Sequence, residues 1–454
     1  MQSRLPDSPS PVSHGVGPLS DRIYQRARGV FPDGTSRATI ERDPTPRYIA
    51  RGEGAYLIDV DGRRFLDLNA NFTTLIHGHG FEPVTGALEA QLKTGLCFAN
   101  PTESEVALAE LLCARVPRLE KIRFVTTGSE AVMFAIKAAR AFTGRTSIAK
   151  IEGAYHGSYD WAEVAYASTS ENWGAADAPA ATPNYSGMPS SVPREVVPLR
   201  FNDAAGATRR ISEHAHELAA VLIDPMPSRA GLIPPEPAFI RAIVETAHRH
   251  DILVISDEVL NFRQDFRGAS ARYGLMPDLF ALGKIIGGGL PIGAVGGRAD
   301  VMQAFAADTA RARVPQGGTF AANPLAMVAG RAALRALDEA QFAHLAALGE
   351  QLRQGLRAAI DKAGAPFCVT GAASLFRIHT SHTPPREFRE LHSTPSGTRV
   401  LRELTRHFAA HAIVLPNSAA ACLSTPMVSA EVVLIVDVFA DFLDRRADLI
   451  EALR

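Results

Sequence analysis

The spacing of apolar positions divides the chain. Between residues 82 and 330, short unbroken apolar runs alternate with segments whose apolar residues recur every three to four positions. The runs fall at 122–125, 148–151, 219–223, 252–256, 279–282 and 292–295. This alternation predicts an α/β domain with a mostly parallel sheet flanked by helices. The clearest helical period covers 130–142, with Val132, Ile136 and Ala139 on one face and Gly144 as its stop. Upstream, 21–50 predicts a short helix followed by an irregular arm. Residues 52–68 predict two short strands around the turn pair Asp61-Gly62. Beyond Asn323-Pro324, helical periods cover 324–340, 342–363, 400–412 and 430–453, with a strand-like stretch at 369–380.

Four segments are therefore expected: a flexible Pro-rich leader (1–20), an N-terminal arm with small-domain strands (21–81), a large domain (82–330) and a smaller α+β domain (331–454). The leader has no apolar core of the signal-peptide kind. Residues 166–196 are rich in Ala, Pro, Ser and Asn and carry no period. A loop of that length is either disordered or a lid over a site.

Composition narrows the functional classes. The chain has 454 residues, 46% of them hydrophobic, and a net charge of −1, so no basic field points to nucleic acid or an anionic membrane. No apolar run is long enough to span a bilayer. Cys97, Cys113, Cys368 and Cys422 form no close pair, which fits a reducing, cytoplasmic setting without disulfides or a zinc site. His77-Gly78-His79 lacks a nearby acidic or thiol partner and reads as loop histidines, so no metal is expected there.

Four chemical features fall at the C-terminal ends of predicted strands, where open α/β sheets bind ligands. Thr127-Gly128-Ser129 opens a helix, and its free amides suit either a phosphate or an ordinary N-cap serine. Gly153-Ala154-Tyr155-His156-Gly157 offers an aromatic that either stacks on a flat ligand or packs in the core. Asp257-Glu258-Val259 ends an apolar strand with two carboxylates, which would anchor a protonated ring nitrogen or hold a metal. Lys284 ends the run Leu279-Phe280-Ala281-Leu282-Gly283 and precedes Gly287-Gly288-Gly289. It is either a surface lysine in a glycine-rich loop or a desolvated amine that relieves its burial by condensing with an aldehyde. A phosphate cradle, a stacking aromatic, a pyridinium anchor and such an amine together describe pyridoxal phosphate. The phosphate-loop, dinucleotide-binding, zinc-protease and serine-hydrolase motifs are absent.

Thr-Gly-Ser-Glu-Ala at 127–131, Tyr-His-Gly at 155–157, Asp-Glu-Val at 257–259, Gly-Lys-Ile-Ile-Gly-Gly-Gly at 283–289 and Gly-Gly-Thr-Phe at 317–320 occur in that order. From about residue 20 onward, the chain resembles the class III (fold type I) pyridoxal-phosphate aminotransferases. The resemblance is to the subgroup of glutamate semialdehyde aminomutase and β-amino-acid aminotransferases. It implies that Lys284 forms the internal aldimine and Asp257 pairs with the pyridine nitrogen. Tyr155 stacks on the ring, His156 and Val259 complete the cofactor contacts, and Gly128 and Ser129 bind the phosphate. Thr319 joins them from the second subunit of a homodimer.

By the same resemblance Arg37 is placed to bind a substrate carboxylate, although an exposed arginine is the plain alternative, and Phe72 stands as an aromatic wall. The segment 416–422 carries neither the glutamate of the aminomutase nor the arginine of some β-amino-acid enzymes. Asp224-Pro225 replaces the more usual Glu-Pro, and Arg229 is an unplaced cation beside it. The expected activity is transfer of an amino group from an amine or β-amino acid to a keto or aldehyde acceptor. An intramolecular aminomutase is the alternative. A non-catalytic cofactor binder would be expected to lack Lys284 or Asp257, and both are present.

Overall fold

The structure, a computed structural model, describes residues 16–42, 45–307, 311–391, 394–451 and 453. Its centre is a seven-stranded sheet. Across it run Lys121–Val125, Gly293–Gly297, Leu279–Gly283, Leu253–Asp257, Leu218–Ile223, Ser147–Ile151 and Val196–Leu199. Gly293–Gly297 is antiparallel to both its neighbours, and the strands from Leu279–Gly283 to Val196–Leu199 are parallel. Helices cover both faces, so the inner strands are buried at every position, which is why their sequences read as unbroken apolar runs. The helix Gly128–Thr143 buries Val132, Ile136 and Ala139 and ends at Gly144, whose φ of 72° is left-handed. The edge strand Val196–Leu199 lay hidden behind the Pro-rich stretch before it.

Two smaller sheets join the chain's ends. Ile49–Glu53, Tyr56–Asp59, Arg64–Asp67 and Ile413–Val414 form one, in which an N-terminal strand pairs in parallel with a C-terminal one. Cys368–Thr370, Leu375–His379 and Ala420–Cys422 form the other.

Several expectations change in detail. The 52–68 region has three strands, because Gly54-Ala55 makes a turn before the Asp61-Gly62 one. The strand-like 369–380 splits where Gly371 and Ala373 take left-handed φ of 127° and 48°. The expected 430–453 helix breaks at Arg446 into Ser429–Arg445 and Ala447–Glu451. Residues 18–20, expected in a flexible leader, begin the helix Pro18–Ala27; leader residues 1–15 lie outside the described residues. The 166–196 stretch is mostly irregular but pinned. Arg389, paired with buried Glu152 at 2.7 Å, donates to the Trp173 and Gly174 carbonyls. Among the described residues no helix is long and apolar enough to cross a membrane.

Candidate active site

The C-terminal ends of the parallel strands bring the chemistry together. Asp257 closes its strand with the side chain buried. Its Oδ2 lies 2.7 Å from His156 Nδ1, and its Oδ1 accepts the Val259 amide at 3.0 Å. Burial lowers the pKa of His156, and the Asp257 hydrogen bond only partly opposes it. A neutral ring that donates Nδ1–H to the carboxylate leaves Nε2 as a lone pair, and Nε2 is buried without a partner among the described residues. Glu258 points elsewhere, accepting the Ala269 and Ser270 amides, so the two carboxylates do not form a metal pair.

Lys284 follows its strand at a φ of 51°, a left-handed conformation that costs a non-glycine residue about 1–2 kcal/mol and clusters at functional sites. Burial pulls its pKa down to about 8, while Asp257 and Asp224 pull it up and Arg263 adds to the lowering. Asp224 is held by the Met226 amide at 2.9 Å and by the Asn261 side chain. Burial, then the charge of Asp257, raises the Asp224 carboxyl well above its ordinary range.

The opening turn of Gly128–Thr143 is capped on one side only. Thr127 Oγ1 accepts the Glu130 amide, and Glu130 Oε2 accepts those of Thr126 and Thr127. Gly128 and Ser129 amides have no intrahelical acceptor, so they remain for an anion. Glycine at 128 is required by space, because a Cβ there would lie 2.9 Å from a Val259 methyl. Gly157 has φ 84°, and a Cβ on it would meet Ser129 Oγ at 2.2 Å. Ser129 Oγ accepts the Ser158 amide at 3.0 Å, locking this loop to the helix start.

Tyr155 is 52% exposed, its ring 5.4 Å from that of Tyr166. Arg229 donates to the Tyr166 hydroxyl at 2.7 Å. The guanidinium of Arg37 stands 5.7 Å from the Phe72 ring centre, and its Nη1 is 3.4 Å from Asn71 Oδ1. Phe72 belongs to a turn in which four successive residues, Ala70, Asn71, Phe72 and Thr73, have positive φ of 46° to 74°. Asp67 Oδ1 accepts the Asn69 and Ala70 amides, and Arg263 donates to the Thr73 carbonyl at 2.9 Å.

Lys284, Asp257, His156 and Val259 thus lie together, with Gly128 and Ser129 at the adjoining helix start. Arg37 and Phe72 form a pair of their own. Thr319 is the exception: it is exposed and hydrogen-bonds no other described residue. The two histidines of His77-Gly78-His79 part company, His77 bonding the Ala333 carbonyl and His79 the Asp67 carboxylate.

Two residues escaped the sequence reading. Arg263 is fully buried and holds Thr73, Ser374 and Leu423. Arg377 donates to the Ser228 carbonyl at 3.0 Å, and its Nε is buried without a partner among the described residues. Arg377 is a lone cation in the apolar run Leu375-Phe376-Arg377-Ile378, a mismatch that would have found it, whereas Arg263 sits among polar residues and gives no such signal.

The sheet, the anion-ready helix start and the half-buried, desolvated amine beside two carboxylates define a fold type I enzyme that uses pyridoxal phosphate. The family profile Aminotransferase class-III matches residues 38–405. A glutamate-1-semialdehyde 2,1-aminomutase from Anaeromyxobacter dehalogenans (strain 2CP-C) is 37% identical over 413 residues, covering 90% of this chain and 93% of that one. An omega-transaminase from Sphaerobacter thermophilus is 46% identical, with a TM-score of 0.92 over 94% of this chain and 98% of that one. A β-phenylalanine aminotransferase from Variovorax paradoxus is 32% identical, with a TM-score of 0.86 over 96% of this chain and 95% of that one. The chain belongs to the class III aminotransferases.

Proposed function

We propose that this aminotransferase takes the amino group from an amine or β-amino acid bearing one carboxylate and delivers it to a keto or aldehyde acceptor. The observation that carries the reading is Lys284, an amine at the end of a buried strand whose pKa desolvation lowers to about 8 against the opposing pull of Asp257 and Asp224. The residues fit pyridoxal phosphate. Gly128 and Ser129 offer amides to the phosphate, Tyr155 an exposed ring face, and Asp257 a buried carboxylate for a protonated ring nitrogen. Val259, packed against Gly128 and Gly283, forms the floor. When bound, the cofactor supplies an aldehyde for amines and a ring that accepts the electron pair released at the substrate carbon.

The chain's own groups do the rest. His156 fixes Asp257 in place by donating Nδ1–H to its carboxylate. With the cofactor bound, Lys284 Nζ would be the group that carries a proton to and from the substrate carbon. Desolvation keeps that amine neutral enough to act as base.

The carboxylate goes to Arg37, above Phe72, where a guanidinium fork suits two oxygens. Arg229, on the Tyr166 hydroxyl, and Arg377, on the Ser228 carbonyl, are two further cations, and among the described residues neither pairs with a carboxylate. A second copy of the chain completes the site. Leu92, Leu96, Phe98 and Phe320 are 51–58% exposed, and Asn323 ties the 96 and 320 segments by donating to the Leu96 carbonyl. The exposed Thr319 precedes Phe320 of this group, and we assign it to the partner's phosphate. Four free thiols support a cytoplasmic location.

The similarity to proteins named aminomutase favours a second reading, intramolecular transfer on glutamate semialdehyde. A half-reaction screen separates them. Holoenzyme mixed with single amines, α-amino acids or β-amino acids, without keto acid, should lose its cofactor absorbance band with one class and regain it with pyruvate or 2-oxoglutarate. Catalytic consumption of glutamate semialdehyde, with no bleaching by any donor, would establish the aminomutase instead.

A further inference from the structure

The C-terminal domain holds a second cluster of ligating groups, on the helices Pro395–Ala410 and Ser429–Arg445. His407 and His411 are one helical turn apart, at and just beyond the end of the first helix. Asp441 reaches them from the second. His407 Nε2 lies 3.2 Å from Asp441 Oδ2, and His411 Nε2 lies 3.8 Å from the same oxygen. Ligand atoms of the three all fall within 4.8 Å of one another. For comparison, adjacent ligands of a tetrahedral centre with bonds of about 2.0–2.1 Å stand about 3.3 Å apart.

Two further observations point to a cation. His407 Nε2 and Asp441 Oδ2 are both buried, and neither has a hydrogen-bond partner among the described residues, although they face each other. A bare imidazole nitrogen against a carboxylate oxygen is unfavourable unless a proton or a metal lies between them. A neutral His407 with its hydrogen on Nε2 is the metal-free arrangement of the same pair. The supporting bonds are those of metal ligands. His411 Nδ1 is 2.9 Å from the His407 carbonyl, which can only accept, so Nδ1 carries the hydrogen and Nε2 the lone pair. Arg445 holds Asp441 Oδ1 at 2.7 Å and leaves Oδ2 to the histidines.

We propose that His407, His411 and Asp441 bind a divalent cation of the zinc class, clamping the two C-terminal helices together. Two imidazoles and one carboxylate suit Zn²⁺, Cu²⁺ or Ni²⁺ rather than the oxygen-seeking Mg²⁺ and Ca²⁺. Three protein ligands leave a fourth position to water. The site is on the small domain and does not depend on the proposed amino-transfer chemistry.

The test is calorimetric titration of chelator-treated holoenzyme with ZnCl2, with melting temperature followed in parallel. Wild-type protein should bind one tight equivalent and melt at a higher temperature when loaded. His411→Ala, which changes an exposed side chain, and Asp441→Asn should each weaken that binding about 100-fold and remove the rise in melting temperature. Electron paramagnetic resonance of the Cu²⁺ form should show two nitrogen ligands. Equal affinity in wild type and both variants would overturn the proposal. So would binding that persists in both variants and disappears in Cys97→Ser.

Discussion

His156 Nδ1 and Asp257 Oδ2 lie 2.7 Å apart, both side chains buried, and this pair orients the carboxylate that faces Lys284. Burial lowers the pKa of His156, which favours the neutral ring as donor to Asp257. Replacing Asp257 by Asn keeps the shape and removes the charge. The expected result is a loss of about 10³-fold in the rate of amino transfer, with cofactor still bound and its absorbance band shifted. Single-turnover kinetics on the loaded variant measure this. His156→Asn should cost less, because Asp257 keeps the Val259 amide at 3.0 Å.

The lowered pKa of Lys284 sets a pH dependence. The amine captures aldehyde only when neutral. Its pKa is pulled from 10.5 to about 8, so the neutral fraction rises with pH and reaches half near pH 8. Capture of pyridoxal phosphate by apoenzyme should therefore accelerate about tenfold per pH unit below that point and level off above it. Stopped-flow mixing across the range measures it. A rate still climbing tenfold per unit at pH 10 would show an ordinary, solvated amine.

Arg37 offers a test of substrate class. Arg37→Ala should raise KM for a carboxylate-bearing donor about 10- to 100-fold, the loss of one charge-assisted contact of about 1.5–3 kcal/mol. A simple amine without a carboxylate should be unaffected. Equal losses for both donors would remove Arg37 from substrate recognition.

The left-handed turn at 70–73 makes a stability prediction. Asp67 holds the Asn69 and Ala70 amides at 2.9 and 3.0 Å and pairs with His79. Asp67→Ala would leave two amides without acceptors under a turn whose positive φ values each carry a cost. Urea unfolding should show a loss of about 2–4 kcal/mol, with a parallel rise in KM as Phe72 loses its position.

The large sheet was legible because burial on both faces writes a strand as a plain apolar run. Ser147–Ile151, Leu218–Ile223 and Leu279–Gly283 each coincide with such a run to within a residue. Lys284 and Asp257 were legible for a related reason, since a charge ending a buried strand calls for a ligand. The strand Val196–Leu199 was not, because Pro198 within it and the irregular stretch before it mask its period. The turn at 70–73 was hidden too, since nothing in Ala-Asn-Phe-Thr announces positive φ. It is imposed by partners such as Arg263, almost two hundred residues away in sequence. The His407–His411–Asp441 cluster needed the pairing of two helices that no local pattern predicts.

The account rests first on Lys284 as the residue that carries the cofactor. Borohydride reduction of the holoenzyme followed by peptide mass mapping tests this directly. The expected result is a single phosphopyridoxyl group on Lys284, absent from Lys284→Ala. Lys150, fully buried and with its pKa lowered to about 7, is the other desolvated amine, held by the Ile151, Ala154 and Val164 carbonyls. A label on Lys150, or one that persists in Lys284→Ala, would contradict the assignment.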